Sequence, residues 1–392
     1  MRILFVAHSG KISGGANRSL LSIISGLRDE YKVIPSVLIP EPDSPLSQAC
    51  AALNIPVYVG HYHSCCTVLC REIKDMFRLA KLVLAPFLDR LEACRLSRTL
   101  PGNFDCVYTN DRMTVIGGFL ADLWKKPHIW HMRCFSKQNK TIFPLGWYRL
   151  IDRYANRVIV ISQALRSDFV PHMAASKVKV VYNGLEISQY KSSERISHQG
   201  FNILLTGRII QQKGQDEAVQ ALDALVHEYG VDAHLFFAGE IPSYGRDRYL
   251  RQLRSEICSR SLEERVVFLN EVKDMTSIRQ KMDVELVCSW MEAFGRVSVE
   301  AMLAGLPVVG TNCGGTAEII KEGETGFLYP PHDSKKLAEH LVYLSHHSDE
   351  AMKMGVAGRK RAEWVFSQKK MIDNIMEVIH EIQDENAEKN TD

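Results

Sequence analysis

The sequence predicts an α/β protein made of two parallel-sheet domains, and three observations predict it. Short apolar or β-branched runs alternate with longer amphipathic runs along the whole chain, the rhythm of β-α-β units with parallel strands. With 392 residues and 46% hydrophobic composition, the chain exceeds the size at which a single core keeps growing, so two domains of similar size follow. The alternation also restarts after a polar stretch from Tyr190 to Gly200, which marks a linker. No short internal repeat accompanies the restart.

In the first half the rhythm places strands at residues 3–7, 33–39, 106–109, 128–131 and 157–162. In the second half it places them at 202–206, 233–238, 266–269, 284–288 and 307–310. The domains are therefore expected at 1–188 and 189–369. Residues 367–392 carry a helical pattern through Met371, Ile372, Ile375, Met376, Ile379 and Ile382 before a polar tail. A helix so late has no following strand in its own domain, so residues 370–392 are expected to pack on the first one.

Composition narrows the function. The apolar run 3–7 is far too short for a leader or a membrane span, and no segment reaches about 18 uninterrupted apolar residues. A chain without a leader is expected in the cytosol, where its ten cysteines are reduced thiols rather than a disulfide framework. Residues 1–190 hold 24 Lys+Arg against 14 Asp+Glu, whereas the remainder holds 24 against 32. Such polarity suits a first half that meets something anionic, a phosphate-bearing acceptor or a lipid headgroup layer; scattered basic residues on a solvated surface would give the same count.

The most informative stretch opens the second half. A strand NILLT runs into Gly207-Arg208-Ile209-Ile210-Gln211-Gln212-Lys213-Gly214 and then a helix from about residue 215 to 229. Two cations between glycines, at the carboxyl end of a first strand, stand where open α/β sheets bind ligands. Arg208 can fork onto phosphate oxygens, Lys213 adds a compact charge, and the helix start offers free N–H groups. Taken alone, the stretch is equally an ordinary polar β-α turn.

A second constellation follows the apolar run VELVCS and reads Trp290-Met291-Glu292-Ala293-Phe294-Gly295-Arg296-Val297-Ser298-Val299-Glu300. Glu292 lies in the loop before a helix expected at 295–304, and Glu300 lies inside that helix on a side that still reaches the loop. A carboxylate accepts two hydrogen bonds from adjacent hydroxyls, so each acid suits a diol. An exposed helix position paired with Arg296 also accounts for Glu300.

On the first-domain side, Ser13-Gly14-Gly15-Ala16-Asn17-Arg18 follows the first strand and opens a helix, so its glycines let a ligand approach the backbone. His131 ends an apolar strand beside Trp130, where a packed, hydrogen-bonded core histidine is the bland alternative. Arg133 could meet an acceptor phosphate or form a surface ion pair.

These constellations, in this order, resemble the retaining GT-B glycosyltransferases of glycosyltransferase family 4, also called glycosyl transferases group 1. The likeness runs from Gly14-Gly15-Ala16 through Tyr182-Asn183-Gly184 and the Arg208 and Lys213 turn to Glu292 and Glu300. It continues through Gly305-Leu306-Pro307, Gly314-Gly315-Thr316-Ala317-Glu318 and Gly323-Glu324-Thr325-Gly326. It implies two Rossmann-like domains facing a deep cleft, the first binding acceptor and the second the nucleotide sugar. It assigns Arg208 and Lys213 to the donor diphosphate, Glu300 to the ribose and Glu292 to the hydroxyls of the transferred sugar. Phe294, Gly295 and Arg296 join the donor site, and His131 orients the sugar. Gly15 touches donor phosphate, while Gly14, Gly15, Asn17, Arg18 and Arg133 fall on the acceptor side. The chain departs from the family at Ala317, usually proline, at Asn270, usually glycine, and at Gly239-Glu240-Ile241-Pro242, where Gly-x-Gly is common, leaving base and donor identity open.

The resemblance implies hexosyl transfer from a UDP- or GDP-sugar to a glycan or polyprenyl-diphosphate-linked acceptor in cell-surface polysaccharide synthesis, such as lipopolysaccharide or capsule, without metal or cofactor. Breaking a sugar–phosphate bond puts negative charge on the departing diphosphate, which fixed cations stabilise. With no carboxylate evident as nucleophile, front-face departure and attack is favoured over double displacement. Residues 70–100 and 137–157 interleave cations with apolar and aromatic side chains and could lie on the inner membrane surface, although helices packed on a sheet look alike. His61, His63, Cys65, Cys66 and Cys70 crowd together without a common zinc spacing. A non-catalytic nucleotide-sugar-binding protein would need damaged cations or acids, and an epimerase an acid–base set not evident here. Nothing points to nucleic acid.

Overall fold

In the computed structural model, which describes residues 1–12, 15–68, 74–135, 141–143, 146–190, 196–241 and 247–389, the chain divides into two compact units. One is Met1–Tyr182 with Met371–Asp392, the other Asn183–Lys370. The second unit begins ahead of residue 189 because Leu185 is tied to its far end. The Leu185 N–H donates to the Phe366 carbonyl at 2.9 Å, and its own carbonyl accepts from Gln368 at 2.8 Å.

The strands of the first unit are β1 (Arg2–Ala7), β2 (Ile34–Ile39), β3 (Val57–Val59), β4 (Thr67–Val68), β5 (Cys106–Asn110), β6 (His128–Met132), β7 (Thr141–Ile142), β8 (Arg157–Val160) and β9 (Val178–Val180). Seven form a sheet in the order β3-β2-β1-β5-β6-β8-β9, while β4 and β7 pair separately as an antiparallel ribbon. β1 reads RILFVA with five successive buried residues, the near-continuous apolar run of a strand covered on both faces. The following helix, Gly15–Tyr31, buries Leu20, Ile23, Ile24 and Leu27 at helical spacing against it. The three-residue edge strands β3 and β9 are half-buried and escaped the sequence reading, since so short a run carries no alternation.

The last helix, Gln368–Lys389, supplies Met371, Ile372, Ile375, Met376, Ile379 and Ile382 to the same core as Ile3, Phe5, Leu20 and Ile129. Polar ties rim that contact. Tyr31 donates to Asp373 at 2.9 Å, Lys179 pairs with Glu381 at 2.8 Å, and Arg157 pairs with Glu385.

The second unit is one six-stranded parallel sheet, β10 (Phe201–Thr206), β11 (Ala233–Ala238), β12 (Val266–Asn270), β13 (Val284–Val287), β14 (Val308–Thr311) and β15 (Gly326–Tyr329), in the order β12-β11-β10-β13-β14-β15. The helix expected at 215–229 is α-helical over Gln215–Asp223 and relaxes into a π turn at Ala224–Glu228. At Asn270 the chain takes φ +57°, a left-handed conformation that asparagine tolerates, so the departure from glycine keeps the backbone path.

Strand order reverses between β1 and β5 in the first sheet and between β10 and β13 in the second. Adjacent connections leave for opposite faces there, opening a crevice at the carboxyl ends of the strands. The sequence constellations fall at those two points.

Candidate functional site

At the switch point of the second sheet the chain leaves β10 through Gly207 and Arg208, makes a 3-10 turn at Gln211–Lys213, and enters the helix at Gln215. Gly214 holds φ +66°, and a Cβ there would stand 2.5 Å from the Cys288 carbonyl oxygen, so only glycine lets this turn press against the end of β13. The buried Gln215 side chain donates to the Arg208 carbonyl at 2.9 Å and pins the turn. Arg208 is exposed, with no ion pair among the described residues. Lys213 pairs with Glu292 across a cavity of about 120 Å³ lined by Thr206, Lys213, Ser289, Glu292, Gly295 and Arg296. Both partners keep about a quarter of their side chains exposed, so the pair is worth no more than about 1 kcal/mol and a diphosphate can take Lys213 from Glu292 at little cost.

The loop after β13 carries Glu292, and its path is set by Gly314 and Gly315. Gly314 sits at φ +56° with the Glu292 carbonyl oxygen 2.3 Å from where a Cβ would be, and the Gly315 N–H donates to that carbonyl at 2.8 Å. Gly295 caps the helix Arg296–Leu303 in a left-handed conformation. Phe294 is buried against Phe366, as a core residue. Ala317 lies in the short helix Thr316–Ile319 that follows the glycine pair.

Glu300 is held from two sides, by Arg296 Nε at 2.7 Å and by Arg279 Nη2 at 3.4 Å. Arg279 in turn grips Glu285 of β13 at 2.7 and 3.1 Å, with both partners buried. Burial works against the Arg279 charge, but Glu285 and Glu300 outweigh it and hold its pKa above the ordinary arginine value. The sequence reading missed Arg279 and Glu285. Their signal was a charged residue in the middle of the apolar run VELVCS, which demands a buried partner.

In the first unit, Gly15 opens its helix with open space around its Cα, and Gly14 lies outside the described residues. Arg18 is exposed on the next turn. Asn17 is buried, its amide nitrogen donating to the Ser9 and Lys11 carbonyls at 2.8 Å each, so this side chain builds the loop. Arg133 is also buried. Its Nε donates to Asn110 Oδ1 at 2.7 Å and its Nη2 to His131 Nδ1 at 3.3 Å, which makes it internal support for His131 rather than a surface ion pair.

His131 is fully buried, and burial followed by the Arg133 charge pushes its pKa well below the ordinary histidine value. A guanidinium can only donate, so Nδ1 is the accepting nitrogen and the Tyr108 hydroxyl donates to it as well. The neutral ring therefore carries its proton on Nε2, a buried donor without a hydrogen-bond partner among the described residues. Tyr108 was not foreseen, because its register beside Ile129 on the neighbouring strand is a property of the sheet.

Of the crowded histidines and cysteines, His63 Nδ1 lies 2.9 Å from Asp89 Oδ1, and the Cys65 thiol points to the same carboxylate at 3.9 Å. Among the described residues no three metal-ligating side chains converge. Cys70 lies outside them.

The profile of Glycosyltransferase Family 4 matches residues 13–189, and that of Glycosyl transferases group 1 matches residues 186–361. Among curated relatives, spore coat protein SA of Bacillus subtilis (strain 168) is 30% identical over 252 residues, 58% of this chain and 65% of that protein. The capsular polysaccharide biosynthesis glycosyltransferase CapM of Staphylococcus aureus is 27% identical over 54% of this chain and 58% of its own length. The chain thus spans less than two thirds of these relatives. Among solved structures, HepE of Anabaena in complex with UDP superposes with a TM-score of 0.79 at 25% identity, covering 97% of this chain and all of that one. The same protein has also been solved with UDP-glucose. With two parallel Rossmann-like sheets and the two profiles together matching residues 13–361, the chain belongs to the GT-B glycosyltransferases, Glycosyltransferase Family 4 in its first half and Glycosyl transferases group 1 in its second.

Proposed function

We propose that this protein is a retaining hexosyltransferase that moves a sugar from a nucleotide diphosphate sugar to a glycan or lipid-linked acceptor in cell-surface polysaccharide synthesis. The observation that supports the reading is the pairing of Lys213 with Glu292 at the ends of β10 and β13, with Arg208 leaving β10 and Glu300 in the helix that follows β13. In this reading the leaving diphosphate takes Lys213 and Arg208, which neutralise charge as the sugar–phosphate bond breaks. Glu292, freed from Lys213, accepts the hydroxyls of the sugar, and Glu300, already oriented by Arg279 and Arg296, accepts the ribose diol. In the first unit, His131 keeps an Nε2–H that no described residue answers. The Nδ1 lone pair of His131 is engaged by Tyr108 and Arg133 and its Nε2 already carries a proton, so the ring has no free site for the proton of the attacking hydroxyl, which goes to the diphosphate itself. The complexes of HepE with UDP and with UDP-glucose support a uridine nucleotide as the donor carrier.

Replacing Arg208 and Lys213 together by alanine is expected to slow transfer at least about 100-fold while the protein stays folded. Transfer at the original rate by a folded double variant would refute the reading. Proton NMR of the product, with the anomeric configuration kept, tests retention. Activity unchanged by a chelator tests the absence of a metal requirement.

We place the enzyme on the cytoplasmic face of a membrane, at its polyprenyl-diphosphate-linked acceptor. No helix among the described residues is long and apolar enough to cross a membrane. The helix Lys74–Thr99 nevertheless leaves Phe77 75%, Val83 70% and Phe87 64% exposed, and Lys81 and Arg98 of the same helix are exposed as well. A face of this kind suits the boundary of an anionic bilayer. Reversing Lys81 and Arg98 to glutamate is expected to weaken binding to anionic liposomes, and unchanged binding would remove the membrane from the account.

A further inference from the structure

We infer that Arg112 forms a second anion site, for the phosphate or diphosphate group of the acceptor. The inference rests on the transferase reading for its purpose but not for its evidence. Arg112 follows β5, the strand at the switch point of the first sheet, where a ligand crevice opens. It is only 3% exposed, and its Nε and Nη1 have no hydrogen-bond partner among the described residues. A guanidinium stays protonated in any protein, so these nitrogens keep three N–H donors and a full charge away from water.

Among the described residues no ion pair answers that charge. The neighbouring Asp111 carboxylate commits its Oδ1 to the Arg112 backbone N–H at 2.7 Å and to the Cys134 thiol at 3.6 Å. The guanidinium itself lies 4.5 Å from the ring centre of Phe143, which is stacked on Trp147. A ring face offsets part of the desolvation and none of the hydrogen-bonding demand.

The turn that buries Arg112 is firmly built. Asp111 adopts φ +75°, its N–H donates to the His131 carbonyl at 2.8 Å, and its carbonyl accepts from Trp130 Nε1 at 3.0 Å. A second orphan donor, His131 Nε2, stands on the adjacent strand. A buried full cation with three unanswered N–H donors beside a switch point is complementary to an oxyanion rather than to a neutral sugar. Arg112 belongs to the first unit and the Arg208 and Lys213 turn to the second.

The experiment titrates inorganic pyrophosphate into the full chain already saturated with UDP, by calorimetry, for the natural protein and for Arg112→Gln and Arg112→Lys. The inference expects a further pyrophosphate site that Arg112→Gln weakens at least tenfold and Arg112→Lys only a few-fold, with UDP affinity the same in all three. No second site, or one equally strong in Arg112→Gln, overturns it. Should Arg112→Gln fail to fold, Arg112→Lys decides: a second pyrophosphate site weakened two- to five-fold, with UDP affinity unchanged, supports the site, and a second site as strong as in the natural protein overturns it. If UDP fails to bind the natural protein while pyrophosphate titrates Arg112, the donor reading falls and the anion site stands. Farnesyl diphosphate and glucose 1-phosphate, run as separate arms, distinguish a lipid-linked from a soluble source of the phosphate.

Discussion

His128 and His131 stand on the same short strand, both fully buried and both held neutral, yet they are wired in opposite senses. His128 donates from Nδ1 to the Tyr154 carbonyl at 3.0 Å and accepts at Nε2 from the Thr109 hydroxyl at 2.7 Å, so it is a satisfied core residue. His131 accepts at Nδ1 and leaves an Nε2–H unanswered, as a residue held for a ligand would. Burial, outweighing the Tyr154 hydrogen bond, lowers the His128 pKa to about 4. Below about pH 6.5 the unfolded chain therefore takes up a proton that folded His128 refuses until about pH 4, and stability falls as pH drops through that window, by about 3 kcal/mol at the bottom. Denaturant midpoints measured across it should decline less steeply in His128→Asn. Nitrogen-15 spectra of the folded protein should place the His131 proton on Nε2, and a proton on Nδ1 would undo the assignment. The sequence could mark His131 by its place at a strand end. Its tautomer was illegible there, because Tyr108 and Arg133 define it from other positions in the fold.

At the scale of elements, the strand β13 and the helices Met275–Arg279 and Arg296–Leu303 share one chain of charges, Glu285 to Arg279 to Glu300 to Arg296. Arg279→Ala leaves the buried Glu285 carboxylate unpaired, and the expected loss is about 3–5 kcal/mol in urea unfolding. Replacing Arg279 and Glu285 together by leucine should cost far less stability, because no lone charge remains. That double variant should still lose donor affinity, since Glu300 gives up one of its two supports; unchanged UDP-sugar binding would reduce the network to scaffolding. The pairing of Glu292 with Lys213 belongs to this scale too. Spacing along the sequence marks both residues but cannot bring the ends of β10 and β13 together; strand order does that. The glycine pair at 314 and 315 was legible only as a motif, and its reason is the backbone of Glu292 lying against it.

At the scale of the molecule, the last helix completes the first unit. Met371, Ile372, Ile375, Met376, Ile379 and Ile382 are each at most 5% exposed. At roughly 1.5–3 kcal/mol for each fully buried side chain, they contribute on the order of 10 kcal/mol, comparable to the whole stability of a domain. A chain ended before Met371 is therefore expected to lose the fold of Met1–Tyr182 and to aggregate, while Asn183–Lys370 keeps its hydrogen-exchange protection. Recovery of a folded, protected first unit from the truncated chain would contradict this.

The sequence by itself determined the class of architecture, because burial on both faces of a parallel sheet writes apolar runs into the chain, and it marked the cations and glycines that the fold sets at the end of β10. It also marked the last helix as one in need of another surface. Only the tertiary structure decided which charges meet. Glu285 with Arg279, Arg133 with His131, and the solitary Arg112 depend on strand order and register, which bring together residues far apart in the chain and leave no trace in local spacing.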